Sequence, residues 1–146
     1  MTKYISIDPG KCKCGLIFAD FQSKRVLEAI VIESKYLVQN IQTFTEKDKN
    51  IKVLIGNGTT SNKHAKSLSF LDNNLTIVEE KNTTYRSRQR YFEIFPVKGI
   101  KRFLPRDIFL QNINLDAISA LVILEDYLNC KFTYNCDCLS KTWLKQ

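Results

Sequence analysis

The chain opens on a strict alternation. In KYISID (residues 3–8), Tyr4, Ser6 and Asp8 fall on one face and Ile5 and Ile7 on the other, the period of a β-strand. Pro9-Gly10 breaks it, and apolar runs resume over Gly15 to Ala19 and from about Arg25 to Ile32. Connections this short predict consecutive antiparallel hairpins. After Ser34 the period lengthens: Leu37, Ile41 and Phe44 recur at helical spacing. Ile51 to Ile55 reads as a buried strand closed by Gly56-Asn57-Gly58. A second helix follows with Ala65, Leu68 and Leu71 inward, then an Asn73-Asn74 turn and a strand from Leu75 to Val78. Thr83 or Thr84 is placed to cap a third helix with Tyr85 and Phe92 on one side. Residues 95–113 contain Pro96, Gly99 and Pro105 and read as a loop. A last helix is expected from near Asn114 to about Asn129. The order β-β-β-α-β-α-β-α-loop-α predicts one α/β domain over residues 1–146. Its sheet has five strands, three antiparallel and then two parallel, with helices on both faces.

Three acids stand where such a sheet places its sites, beyond strand ends. Asp8 ends the first strand, and Glu79-Glu80 ends the last apolar one. Strand phase puts Glu80 on the face of Thr76 and Val78. Asp116 lies in the first turn of the final helix, in line with Ala120, Ile123 and Tyr127. An acid in a first turn commonly serves only the helix dipole, a task an outward-facing acid performs equally well. On an apolar stripe, or at the end of a buried strand, a carboxylate needs a cation or hydrogen bonds to offset desolvation. Oxygen-only ligands suit Mg²⁺ or Mn²⁺, and such ions serve phosphodiester hydrolysis.

Charge sharpens this picture. The chain nets +7, and the excess is confined to residues 81–106. There Lys81, Arg86, Arg88, Arg90, Lys98, Lys101, Arg102 and Arg106 face Glu93 as the lone acid. Segregated positive charge favours a polyanion over a merely solvated surface. With Lys11 and Lys13 beside Asp8, these form the expected nucleic-acid-binding set. No apolar run is long enough to span a bilayer, and the first residues pass into a strand without an apolar leader. A cytoplasmic protein without membrane contact is therefore expected, and its five cysteines are expected to be reduced. Cys12/Cys14 and Cys136/Cys138 are spaced too closely for a usual structural zinc site, so idle or buried thiols are the preferred reading.

The motifs, taken in order, resemble those of the YqgF/RuvX family of small RNase H-like proteins. Ile7-Asp8-Pro9-Gly10-Lys11-Cys12-Lys13-Cys14-Gly15 resembles its opening motif, and Gly56-Asn57-Gly58-Thr59 its loop after the fourth strand. Glu79-Glu80-Lys81-Asn82-Thr83-Thr84 resembles its acidic motif. Leu115 to Ala120, continuing to Leu128, is similar to its C-terminal helix, and residues 99–106 to a basic loop in some members. The resemblance covers about residues 4–128. It implies an RNase H-like fold with Asp8, Glu80 and Asp116 as catalytic metal ligands. The implied activity is Mg²⁺-dependent cleavage of Holliday junctions or of precursor small-subunit ribosomal RNA. Departures from the pattern include Cys12 and Lys13 at positions that often carry a basic residue and an arginine. Lys81 replaces an arginine, retaining charge but losing the bidentate fork. Ser119 stands where related resolvases have a fourth acid.

Three other readings compete. A non-catalytic RNA- or DNA-binding protein on the same fold would use residues 81–106, with Tyr85, Tyr91, Phe92, Phe95 and Phe103 available to stack on bases. For Tyr85 and Phe92, core packing is the preferred reading. An actin-like phosphotransferase shares the Asp-x-Gly hairpin, but it needs a second domain that 146 residues do not provide. His64 is a conceivable proton shuttle, although a surface or capping role is preferred. A monomer and a homodimer are both compatible with the sequence.

Overall fold

The computed structural model describes residues 2–111 and 113–134. Strands β1 (Lys3–Asp8), β2 (Lys13–Asp20) and β3 (Arg25–Glu33) form the predicted antiparallel meander. β4 (Lys52–Gly56) runs parallel to β1, and β5 (Leu75–Val78) parallel to β4. The sheet order is β5-β4-β1-β2-β3-β6. Its first five strands form the expected mixed sheet, three antiparallel and then two parallel. The sheet has six strands rather than five, because Thr133–Tyr134 (β6) pairs in parallel with Arg25 and Val26 at the start of β3. Two residues carry no readable period, so this strand is set by tertiary pairing.

Alternation along β1 divides the molecule into two apolar layers. Ile5 and Ile7 pack with Leu37 and Ile41 of α1 (Leu37–Lys47) and with Leu68, which follows α2 (Ser61–Ser67). Tyr4 points the other way, into a core shared with Tyr91 and Ile94 of α3 (Thr83–Ile94) and Ala117 to Leu121 of α5 (Asp116–Leu128). Asp8 has the parity of Tyr4 and so leaves the sheet on the α5 side. No helix among the described residues is long and apolar enough to cross a membrane.

Several element expectations are corrected. Residues 95–113 include a 3₁₀ turn over Gly99–Phe103 and a short α4 (Asp107–Leu110). α5 starts at Asp116 rather than Asn114, whose side-chain oxygen instead accepts the Asp116 N–H at 2.8 Å. Every residue from Ala117 to Glu125 is buried, because α5 is covered by the sheet on one side and α3 on another. Tyr127, placed on the inward stripe by periodicity, falls beyond this stretch and is exposed. α3 buries Ser87, Tyr91 and Ile94, so Tyr85 is on the surface and Phe92 only partly covered.

A buried ion pair joins the two helices on this face. Arg90 donates to Glu125 at 2.7 and 3.1 Å and to the Phe132 carbonyl at 2.9 Å, while Glu125 accepts the Phe132 N–H at 2.8 Å. The network anchors the segment that leads into β6. Removing Arg90 leaves a buried carboxylate short of partners. Arg90→Ala should therefore cost about 2–3 kcal/mol, read as a lower urea midpoint at unchanged slope.

Candidate active site

The three acids come together through close backbone approaches. Asp8 pairs across the hairpin with Gly15. A Cβ on Gly15 would overlap the backbone carbonyl of Asp116, so the missing side chain lets the start of α5 lie directly on β2 beside Asp8. Gly56, at the end of β4, does the same for Glu80: a Cβ there would strike the Glu80 carboxylate and come within 2.8 Å of Ile123 Cδ1. Glu80 follows β5 and folds its half-buried side chain over this glycine. Glu79 points outward and pairs with Lys81 at 3.5 Å, both well exposed. The structure thus separates the two neighbouring acids by environment.

The electrostatics are those of anions held together. Asp8 is pushed from 3.8 up to about 7, first by burial, then by the charges of Glu80 and Asp116; the Ser119 hydroxyl opposes the rise. Burial also raises Glu80, whose Oε1 is buried without a hydrogen-bond partner. An orphaned carboxylate oxygen beside a carboxyl that resists ionisation is what an oxygen-ligand cation would relieve. As the side chains stand, no three acid, thiol or imidazole groups among the described residues are close enough to share one ion. The donor chemistry fits Mg²⁺ or Mn²⁺, and closing on it requires the carboxylates to draw inward.

Two further groups, both noted in the sequence, make contacts that the sequence did not show. Ser119 Oγ lies 2.8 Å from Ser87 Oγ, and Ser87 donates to the Thr83 carbonyl at 2.6 Å. A hydroxyl chain therefore lies behind Asp8 at the position where a fourth acid was sought. His64, expected at the surface, is buried, with Nε2 3.2 Å from the Gly10 carbonyl. Ser34 donates to the same carbonyl at 2.8 Å, and Thr60 donates to the Pro9 carbonyl at 3.3 Å. These bonds fix the turn after Asp8, making His64 a positioning residue of that turn.

No family model matches the chain, and no curated protein matches it. Several solved structures do. Among them is T. thermophilus RuvC in complex with Holliday junction substrate, with 11% identity, a TM-score of 0.44, and coverage of 91% of this chain and 100% of that one. Likeness at this level assigns no residue a role.

The basic set divides once partners are counted. Arg90 is committed to Glu125 and Glu93, and Arg86 forms a two-pronged ion pair with Asp126. These two arginines have structural partners 35 and 40 positions away for the Glu125 and Asp126 pairs. Arg88 instead lines a hollow with Glu80, Asn82, Thr83 and Thr84 and reaches Asp107 at 3.7 Å. Arg106 lies over the Phe92 ring at 5.2 Å. Lys11, Lys13, Lys81, Lys98, Lys101 and Arg102 are exposed. Cys12 is exposed and Cys14 buried against Ser34, so this pair does not present two thiolates to one ion; Cys136 and Cys138 lie outside the described residues.

Proposed function

We propose that this chain is a metal-dependent nuclease acting on structured nucleic acid, either branched DNA such as a Holliday junction or precursor small-subunit ribosomal RNA. The observation that carries the reading is the burial of Asp8 within the charge field of Glu80 and Asp116, with an unsatisfied Glu80 oxygen buried over Gly56. Asp8, Glu80 and Asp116 would hold Mg²⁺ or Mn²⁺. The ions supply water activation and stabilisation of the departing oxygen. The protein's own part is to fix the carboxylates on Gly15 and Gly56 and to bind phosphate. Lys11 and Lys13 flank Asp8, while Arg88 reaches from α3 into the hollow beside Glu80. These cations position a backbone without reading its sequence.

A second reading is favoured by Ser119 in place of a fourth acid and by the open spacing of the three carboxylates. It is a nucleic-acid-binding protein that does not cleave. Four-way DNA junctions and ribosomal precursor RNA, each incubated with Mg²⁺ and either wild type or Asp8→Asn, separate the two. Cleavage by wild type alone supports the nuclease; equal inactivity with retained binding supports the binder. A junction resolvase would also act as a symmetric pair, which the solution mass would report.

A further inference from the structure

The 3₁₀ turn over Gly99–Phe103 is unusual in what it leaves uncovered. Ile100 is 83% exposed and Phe103 85%. Residues three apart eclipse in a 3₁₀ helix, so these two apolar side chains project from one edge. Isolated exposed apolar residues need no explanation, but this edge is continued by Leu104, which is 49% exposed. Gly99 starts the turn at φ +69° with open space around it. The flanks are entirely cationic: Lys98, Lys101, Arg102 and Arg106 are present, and no acid occurs between residues 98 and 106.

The turn is also connected to the carboxylates. Arg88 shares the hollow of Glu80 and pairs with Asp107 of α4. One turn further along α3, Phe92 carries the Arg106 guanidinium on its ring. From Thr84, in the same hollow, to Phe92 the helix advances about 12 Å, which is three to four base steps at ~3.4 Å each. Arg88 and Arg106 line the track, with Asp107 as the acid between them, and it ends in an apolar edge.

We infer that residues 99–104 form a wedge that inserts Phe103, supported by Ile100, against unstacked bases, while the surrounding cations hold the adjoining phosphates. This rests on the nucleic-acid part of the function proposed above and narrows the substrate to one with unpaired bases. A plain duplex offers phosphates to the cations but no open base face to the ring. The charge of the flanks favours a polyanion, and aromatic stacking tolerates any base.

The test reads binding in EDTA, so it does not depend on cleavage. A duplex with a bulge containing 2-aminopurine is compared with the same duplex fully paired. Wild type should quench the bulged probe and prefer it over the duplex. Phe103→Ala should lose the quench and reduce that preference about tenfold, and Phe103→Trp should restore both. Lys101→Ala should weaken both substrates and leave the preference in place. Absence of quenching by wild type, or an unchanged preference in Phe103→Ala, overturns the inference. So does binding to phosphatidylserine vesicles that requires Phe103 while the probe gives no response. Quenching without cleavage in the junction assay would reject the nuclease and keep the wedge; cleavage without quenching would do the reverse.

Discussion

If the chain is the nuclease proposed above, Asp8→Asn should remove cleavage; on either reading it should stabilise the metal-free protein. The loss of rate should be at least ~10³-fold, equivalent to about 4 kcal/mol of transition-state stabilisation. The gain in stability follows from proton linkage. In the folded protein Asp8 keeps its proton up to about pH 7, whereas the unfolded chain releases it near 3.8. Between those values the folded state binds more protons, so raising the pH destabilises it. The stabilising contribution is complete below 3.8 and is lost as the pH rises through 7. The full shift corresponds to up to ~4 kcal/mol, and the asparagine should recover about 1–3 kcal/mol of it at pH 8. Melting temperatures of both proteins from pH 4 to 8, without metal, should diverge as the pH rises. Mg²⁺ or Mn²⁺ should raise the wild-type melting temperature at pH 8 and have little effect on Asp8→Asn. Parallel curves, or an asparagine variant less stable throughout, would reject burial of an unrelieved anion at this position.

Gly15→Val should be the most damaging single substitution outside the acids. The new side chain would meet the backbone of Asp116, which lies in a helix packed on two sides and has no flexible atoms to yield. A cost above ~4 kcal/mol is expected, enough to leave little folded protein. Gly15→Ala, which adds only the Cβ, should remain folded in part and push the start of α5 away from Asp8. Its metal response should weaken more than its melting temperature falls. Urea denaturation and metal-dependent thermal shift, measured side by side, test this. A Gly15→Ala protein with unchanged metal response would show that the close approach does not position Asp116.

Much of this was readable from local pattern. The alternation of Tyr4, Ile5, Ser6, Ile7 and Asp8 assigned each residue its face, because a strand on a two-sided core must sort its side chains by parity. Parity agreed with Glu80 over Glu79 without deciding it; the choice rested on the resemblance of Glu79-Glu80-Lys81 to an acidic motif, and the two acids differ in the fold, Glu79 being exposed and Glu80 half-buried. Asp116 was legible as an acid at a helix start. What failed was whatever depended on partners distant in sequence. A count of positive charge in residues 81–106 cannot know that Glu125 and Asp126 will face Arg90 and Arg86 across two packed helices. Periodicity on α5 placed Tyr127 inside because a helix covered on several sides has no single stripe to read. Gly15 looked like an ordinary strand residue, since its role lies in a contact with residue 116. His64 was misplaced for the same reason: its partner, Gly10, belongs to another element.

The three carboxylates do not stand on equally firm ground. Asp8 ends a central strand paired on both sides, and Asp116 begins the helix that the molecule buries most thoroughly. Glu80 follows a four-residue edge strand with no fully buried position. Segments of that kind open locally at little free-energy cost, while central strands and buried helices exchange their amides only with global unfolding. Two acids are thus built into the part of the chain expected to exchange most slowly, and the third follows a strand expected to exchange faster. Any closing of the site around a cation would fall to Glu80, because it is the member whose support can move without the rest of the protein coming apart.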